Sequence, residues 1–173
     1  MTYTEQRQQG KSLRVVLTRV RLFFVRLWLR SLAPRWTVGV LCLLRDKTGR
    51  VCLLRHKGRV KPWGMPGGII EWPEAPEAGL IRELNEELGW QPAHHDVFHK
   101  GFRLLGVLHS DKFPLLDIVF EGVQPVESGE SAGWTRQTSE IDAIAWFSLR
   151  EIEELDGILE RHRNFLLGVL RGK

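Results

Sequence analysis

Cysteine is scarce in this chain. Its 173 residues hold two, Cys42 and Cys52, in neighbouring apolar segments. That pair makes neither a disulfide framework nor a zinc site, which needs more ligands at closer spacing. Both read as free core thiols in a reducing compartment. The six histidines show no metal-ligand spacing: His94 and His95 fall in a polar stretch, and His56 simply follows Arg55. Internal repeats and low-complexity tracts are absent, which excludes repeat architectures. At this length, with 43% hydrophobic residues, one domain with a sizeable core is expected.

Acidic residues are nearly missing from the N-terminal segment. Residues 1–36 carry eight Lys and Arg against a single acid, Glu5, which leaves 17 basic and 20 acidic residues for the remainder. The isoelectric point of about 9.4 therefore comes from one arm and does not imply nucleic-acid binding. A long apolar run free of charge is also missing. Residues 11–33 (KSLRVVLTRVRLFFVRLWLRSLA) read as one helix ended by Pro34, long enough to cross a bilayer. Arginines near its centre, at roughly 2.5–3.5 kcal/mol each, argue against spanning, and charge interrupts every candidate core of a secretory signal. Leu13, Val16, Val20, Phe24 and Leu27 share one side of it. The expected use is a basic amphipathic helix on an anionic membrane surface, in a protein that is otherwise cytoplasmic. The other uses are packing on the domain, packing on a second copy as a homodimer, or an arginine-rich transit peptide.

What the chain does have is a long constrained stretch, GIIEWPEAPEAGLIRELNEELGW, at residues 68–90. Pro76 suits the first turn of a helix, where a missing N–H costs nothing. Glu74 and Glu77 lie near the positive end of that helix, and Gly89 follows its last residue. Leu80, Ile81, Leu84 and Leu88 supply an apolar stripe. Glu83, Glu86 and Glu87 stand at i, i+3 and i+4 and crowd one face. Their mutual repulsion costs roughly 0.2–0.5 kcal/mol per pair, and a hard cation would turn it into coordination. Taken alone, such a face reads equally well as solvated surface.

The full spacing decides between these readings. Gly68, five residues, Glu74, seven residues, then Arg82-Glu83-Leu84-Asn85-Glu86-Glu87-Leu88-Gly89-Trp90 resembles the Nudix box, with Trp90 a mild departure at the last apolar place. The resemblance implies an α+β fold with a mixed β-sheet between helices over residues 35–155. Residues 1–33 are then an added amphipathic helix and 156–173 a C-terminal helix. It implies a hydrolase that cuts a diphosphate linkage with Mg²⁺ or Mn²⁺ as cofactor. It further implies Glu83, Glu86, Glu87 and the Gly68 carbonyl as metal ligands, Arg82 orienting those glutamates, and Glu74 in support. The general base is implied to be Glu83 or a glutamate of a later loop, here Glu140 ahead of Glu130.

Around the box, Gly67 and Gly68 read as a loop that brings backbone oxygen to the metal, or as an ordinary turn. A basic cluster precedes them, from Arg45 through Arg59 and Lys61, and Arg55 at a strand end is the first candidate for a substrate phosphate contact. Residues 37–44 and 51–55 read as a hairpin around the polar turn 46–49. Residues 101–109, 115–121 and 141–147 are further strands, and 127–139 is a turn-rich loop. Residues 148–155 open a helix, and 156–170 form a second one or continue it.

The small-molecule substrate is narrowed by what the family's subgroups carry. The tyrosine of diadenosine-polyphosphate enzymes is missing, Tyr3 being the only one. Leu105 and Gly106 stand where ADP-ribose enzymes carry a proline, and the coenzyme A signature is not recognisable. A nucleoside triphosphate, or a nucleoside diphosphate linked to another group, is left. A lipid or prenyl diphosphate is added if the N-terminal helix sits on a membrane. The alternative is a diphosphate sensor or scaffold without turnover, against which the chain keeps all four box glutamates. An isomerase would want a cysteine in the site, whereas Cys42 and Cys52 read as core.

Overall fold

The computed structural model describes residues 24, 36–89, 102–122 and 139–172. The chain divides into two compact units, Met1–Arg35 and Trp36–Lys173. In the first, only Phe24 is described; it is helical and exposed. The rest of the expected helix at 11–33 lies outside the described residues, as do Trp90, His94, His95, Glu130 and most of the loop at 127–139. Among the described residues no helix is long and apolar enough to cross a membrane.

The second unit carries seven strands and three helices among its described residues. In chain order they are β1 (Thr37–Leu43), β2 (Val51–His56), β3 (Trp63–Gly64), β4 (Gly67–Ile69), α1 (Pro76–Leu88), β5 (Phe102–His109), β6 (Leu115–Gly122), β7 (Ile141–Phe147), α2 (Leu149–Glu154) and α3 (Glu160–Leu170). One sheet runs β4-β1-β6-β5 and is mixed, since β1 and β6 are parallel while β4 and β5 pair antiparallel. The other, β3-β2-β7, is antiparallel.

The turn between β1 and β2 forms as expected, but the hairpin does not. Asp46 holds that turn by accepting from the Thr48 and Arg50 amides and the Thr48 hydroxyl. Beyond the Arg45–Val51 bridge, the two strands part into different sheets. Burial explains the parting: Val40–Leu44 and Val51–Leu54 are buried throughout, so each strand needs apolar cover on both faces. Alternate side chains of β1 and β2 feed two cores. Val40, Cys42, Cys52 and Leu54 pack with Leu80, Leu84 and Leu88 of α1. Leu41, Leu43, Val51 and Leu53 pack with Ile152 and Leu166 of α2 and α3. Both cysteines are free and fully buried, and burial raises both thiols well above their ordinary range.

The helix ends follow local chemistry. Pro76 opens α1, and Gly89 closes it at φ 65, its N–H returning to the Asn85 carbonyl. Ser148 and Glu151 form a reciprocal capping box on α2. The stretch 156–170 is helical only from Glu160. Gly157 turns at φ 77, and Ile158 is buried in a bridge beside Trp63, which takes residues 156–159 out of the helix.

Candidate active site

Two glycines of β4 place the box carboxylates. Gly67 sits at φ 134, and a Cβ there would lie 2.1 Å from the Val40 carbonyl oxygen. Only glycine fits, and its N–H donates to Glu87 Oε2 at 2.8 Å. A Cβ on Gly68 would meet the Glu83 carboxylate at 2.4 Å. Glu83 and Glu87 thus reach from α1 onto adjacent residues of one strand, while Glu86 is exposed. The segment read as a loop is therefore a short strand, paired with β1 through Gly67, Gly68 and Ile69.

Arg82 fastens this arrangement. Its guanidinium donates to Glu83 Oε1 at 2.8 Å, Glu74 Oε1 at 2.7 Å and the Ile69 carbonyl at 2.9 Å, and lies 3.6 Å from Glu86. Helix α1, strand β4 and the Glu74 turn are joined through one planar fork. Arg82 holds the Glu74 carboxyl below its ordinary range, with the Glu71 amide adding to the effect.

The glutamates on the glycines are driven the other way. Burial raises Glu83, against the opposing Arg82 bond, and Glu86 and Glu74 raise it further. Burial pushes Glu87 up to about 8; the Gly67 N–H opposes, the Glu83 charge reinforces, and Glu140 adds its own charge. Two acids, Glu87 buried and Glu83 half-buried, therefore sit on adjacent residues of β4 with their ionised forms disfavoured by burial. That donor set fits a hard divalent cation, which takes carboxylate and backbone oxygens. Among the described residues no trio of carboxylate, imidazole or thiolate groups is already drawn together as a cage. Arg82 occupies Glu83 and approaches Glu86 instead.

Beside the glycines lies a cleft of about 330 Å³. Gly67, Gly68 and Ile69 line it, with Arg59 and Lys61 from the β2–β3 loop. Asp117 of β6 and Arg161 and His162 of α3 complete its polar lining with His56. The Asp117 carboxylate lies over Gly39, where a Cβ would meet its Oδ1 at 2.3 Å and the Gly68 carbonyl at 3.1 Å. Arg161 pairs with Asp117 at 2.7 Å. Arg55 is exposed on β2 and is not part of the lining. Glu140 is exposed; its carbonyl accepts from the Lys57 amide.

The sequence pattern of the NUDIX domain family matches residues 35–168. The chain belongs to the NUDIX family. It is 29% identical over 121 residues, 70% of each chain, to a MutT-like protein of Streptomyces ambofaciens. Over 35 residues, 20% of this chain and 27% of the other, it is 51% identical to 8-oxo-dGTP diphosphatase of Escherichia coli (strain K12). The crystal structure of a MutT protein from Methanosarcina mazei Go1 aligns at a TM-score of 0.64 with 23% identity, covering 83% of this chain and 100% of that one. The fold is the NUDIX fold. The protein is an enzyme, a NUDIX hydrolase that cleaves a pyrophosphate linkage.

Several residues of this NUDIX site were not singled out by sequence. Asp117 had a signal, being a charge flanked by apolar residues within β6, and a buried acid asks for a partner. Arg161 and His162 had none, because a helical pattern says which face is apolar and not which cleft the first turn meets. His56 follows a register shift at the end of β2, which a linear pattern does not reveal.

The two cleft histidines set an acid limit on the fold. Burial holds His56 down to about 4, with the Arg59 charge adding. Burial holds His162 at about 3, helped by Arg161, Arg59 and His56. Unfolded, both take up protons near 6.5. The unfolded state therefore binds more protons below that value, so stability is full above 6.5 and falls as pH drops toward 4 and then 3. Urea midpoints at about pH 7 and about pH 5 measure the loss. His162→Leu removes one of the two groups and is expected to narrow the difference.

Proposed function

We propose that this enzyme hydrolyses the diphosphate linkage of a nucleoside triphosphate, or of a nucleoside diphosphate linked to another group. The observation that carries this is the pair of carboxylates, half-buried Glu83 and buried Glu87, seated on Gly68 and Gly67 where those glycines line the cleft. Glu83, Glu86, Glu87 and the Gly68 carbonyl would hold Mg²⁺ or Mn²⁺. When bound, the cation supplies Lewis acidity toward the diphosphate and a lowered pKa for the attacking water.

The protein's own groups do the rest. Water attacks phosphorus, a new P–O bond forms, and the bridging P–O bond breaks to release the leaving phosphate. Glu83 accepts the water's proton in the first assignment and Glu140 in the second. The charge of Glu140 is felt at Glu87, which supports its proximity to the site. Arg82 keeps Glu83 oriented and Glu74 keeps Arg82 in place. Arg59 and Lys61 of the lining grip phosphate oxygens, with Arg55 further out on β2.

Phosphate release from a panel of nucleotides and nucleotide sugars, with Mg²⁺ and Mn²⁺ and a coupled phosphatase, tests this reading. Metal-dependent release is expected; none across the panel would return weight to a sensor without turnover or to a lipid diphosphate.

The basic segment at 11–33 is proposed to attach the enzyme to anionic membrane, its charge asymmetry being the support. Deleting residues 1–33 is expected to abolish sedimentation with anionic liposomes at low salt and to leave hydrolysis intact. Full-length protein that stays in the supernatant would end that proposal, and a change in sedimentation equilibrium on deletion would point to the homodimer instead.

A further inference from the structure

One end of the mixed sheet carries large hydrophobic side chains that nothing covers. Trp36 precedes β1, Ile69 ends β4, and Phe113 lies in the β5–β6 turn; each is more than half exposed. Trp72, three residues past β4, is 96% exposed. Strand pairing brings them to the same end. Gly39 lies opposite Ile69, the Ile70 N–H donates to the Val38 carbonyl, and the Thr37 N–H donates to the Pro114 carbonyl at 2.8 Å. The hydrolysis proposed above uses none of these four side chains. Apolar groups left in water together mark a surface that meets a partner.

The residues among them say which partner. The β2–β3 loop lines the same cleft as Ile69 and Phe113, and it holds Val60, 98% exposed, between Arg59 and Lys61. Lys112 is exposed beside Phe113. The acids here are Glu71 and Asp111, and Asp111 lies 3.0 Å from the His109 ring. Cations alternating with apolar side chains suit an anionic lipid surface, where the apolar groups enter the acyl boundary and the cations stay at the headgroups. Tryptophan favours that boundary, its ring being apolar and its N–H polar. The chain also reaches this end at Trp36 from the basic arm, with eight Lys and Arg against Glu5. Aliphatic Val60 and Ile69 offer nucleic-acid bases no stacking face. A second copy would have to desolvate the interleaved charges, which the cores of protein interfaces avoid.

We propose that this end of the sheet, with Trp36, Ile69, Trp72 and Phe113 beside the Arg59-Val60-Lys61 loop, docks on an anionic membrane surface. Ile69 and Phe113 belong both to the patch and to the cleft lining, so docking sets the cleft beside the lipid headgroups. This goes beyond attachment through residues 11–33, because it gives the hydrolase domain a lipid face of its own.

A nitroxide label reads the contact directly. Cys42 and Cys52 are fully buried, so Trp72→Cys and Arg150→Cys each supply one accessible thiol in the full chain. Arg150 is exposed on α2, next to Glu151, which feels the charge of Arg50 from the turn at the far end of β1. With phosphatidylserine–phosphatidylcholine vesicles, the label at 72 is expected to become accessible to oxygen and shielded from a water-soluble nickel chelate. The label at 150 is expected to stay in water. Trp72→Asp combined with Phe113→Asp is expected to weaken vesicle binding about ten-fold or more with the thermal melt unchanged.

A label at 72 that stays in water on sedimenting protein overturns the proposal and leaves attachment through 11–33 standing. Protein that does not sediment with vesicles overturns both, and the hydrolase reading is untouched. Shielding of position 72 by higher protein concentration without lipid assigns the patch to a second copy. Shielding by a single-stranded oligonucleotide assigns it to nucleic acid, and either result overturns the membrane assignment. If the double Asp variant does not fold, the label at 72 decides.

Discussion

Glu87→Gln is expected to lower kcat by about 100- to 1,000-fold without harming the fold. The carboxylate is buried against the Gly67 N–H, and its proton is held up to about 8 by burial and by the Glu83 charge. Glutamine keeps the acceptor for that N–H and fills the same space, so packing of α1 on β4 survives. It removes the negative charge on which the proposed cation depends. The stability sign runs in the other direction. A carboxyl whose folded pKa is raised from 4.5 to about 8 costs nothing below the unfolded value, and the fold loses stability progressively as pH rises from 4.5 to about 8. The metal-free variant is therefore expected to melt higher than wild type at neutral pH, with a gap that widens up to about pH 8 and then levels off. Thermal melts beside steady-state kinetics check both halves. A variant that loses activity and melting temperature together would assign Glu87 a packing role instead.

The second large effect separates two neighbouring glycines. Gly67→Ala is expected to cost about 3 kcal/mol of stability. Its backbone sits at φ 134, and the added carbon would fall 2.1 Å from a main-chain oxygen of β1 that cannot move aside. Gly68→Ala meets the far end of a side chain, the Glu83 carboxylate at 2.4 Å. That group can swing away, so the fold is expected to survive with a much smaller loss. Glu83 then leaves its place on the strand and its bond to Arg82, and kcat falls about ten-fold or more. Urea unfolding and kinetics on the two variants give opposite profiles. A Gly68→Ala enzyme with wild-type turnover would remove Glu83 from the reacting centre.

These two glycines also show where sequence reading succeeds and where it stops. The box helix was legible in full because its signals are local: Pro76 at the start, Gly89 at the end and leucines at helical spacing between. The later strands, 141–147 most closely, were legible as short apolar runs between turn residues. The β4 strand was not, since Gly67 and Gly68, following Pro66, carry the composition of a turn. What makes them a strand is pairing with β1, and what demands glycine is the closeness of that pairing and of Glu83. The parting of β1 and β2 into two sheets was hidden for a related reason. A fully apolar run says that both faces are covered and not which strand covers them. The same limit applies to the phosphate contacts. Arg55, Arg59 and Lys61 are equivalent in a charge plot, and only the direction of the β2–β3 loop puts the last two in the cleft.

Burial and charge make the site's logic consistent across these residues. Arg82 serves Glu74, Glu83 and the Ile69 carbonyl at once, so it fixes where α1 meets β4. Glu83 and Glu87 are thereby held on Gly68 and Gly67, the two glycines that line the cleft.

The most direct test is hydrolysis of a nucleoside triphosphate in ¹⁸O-labelled water, by wild type and Glu87→Gln, with and without Mg²⁺. Attack by water at phosphorus at the box glutamates predicts one labelled oxygen in a phosphorus-containing product, formed by wild type only when the metal is present and nearly abolished in the variant. Labelled product formed equally well by Glu87→Gln, or without any divalent cation, would contradict it.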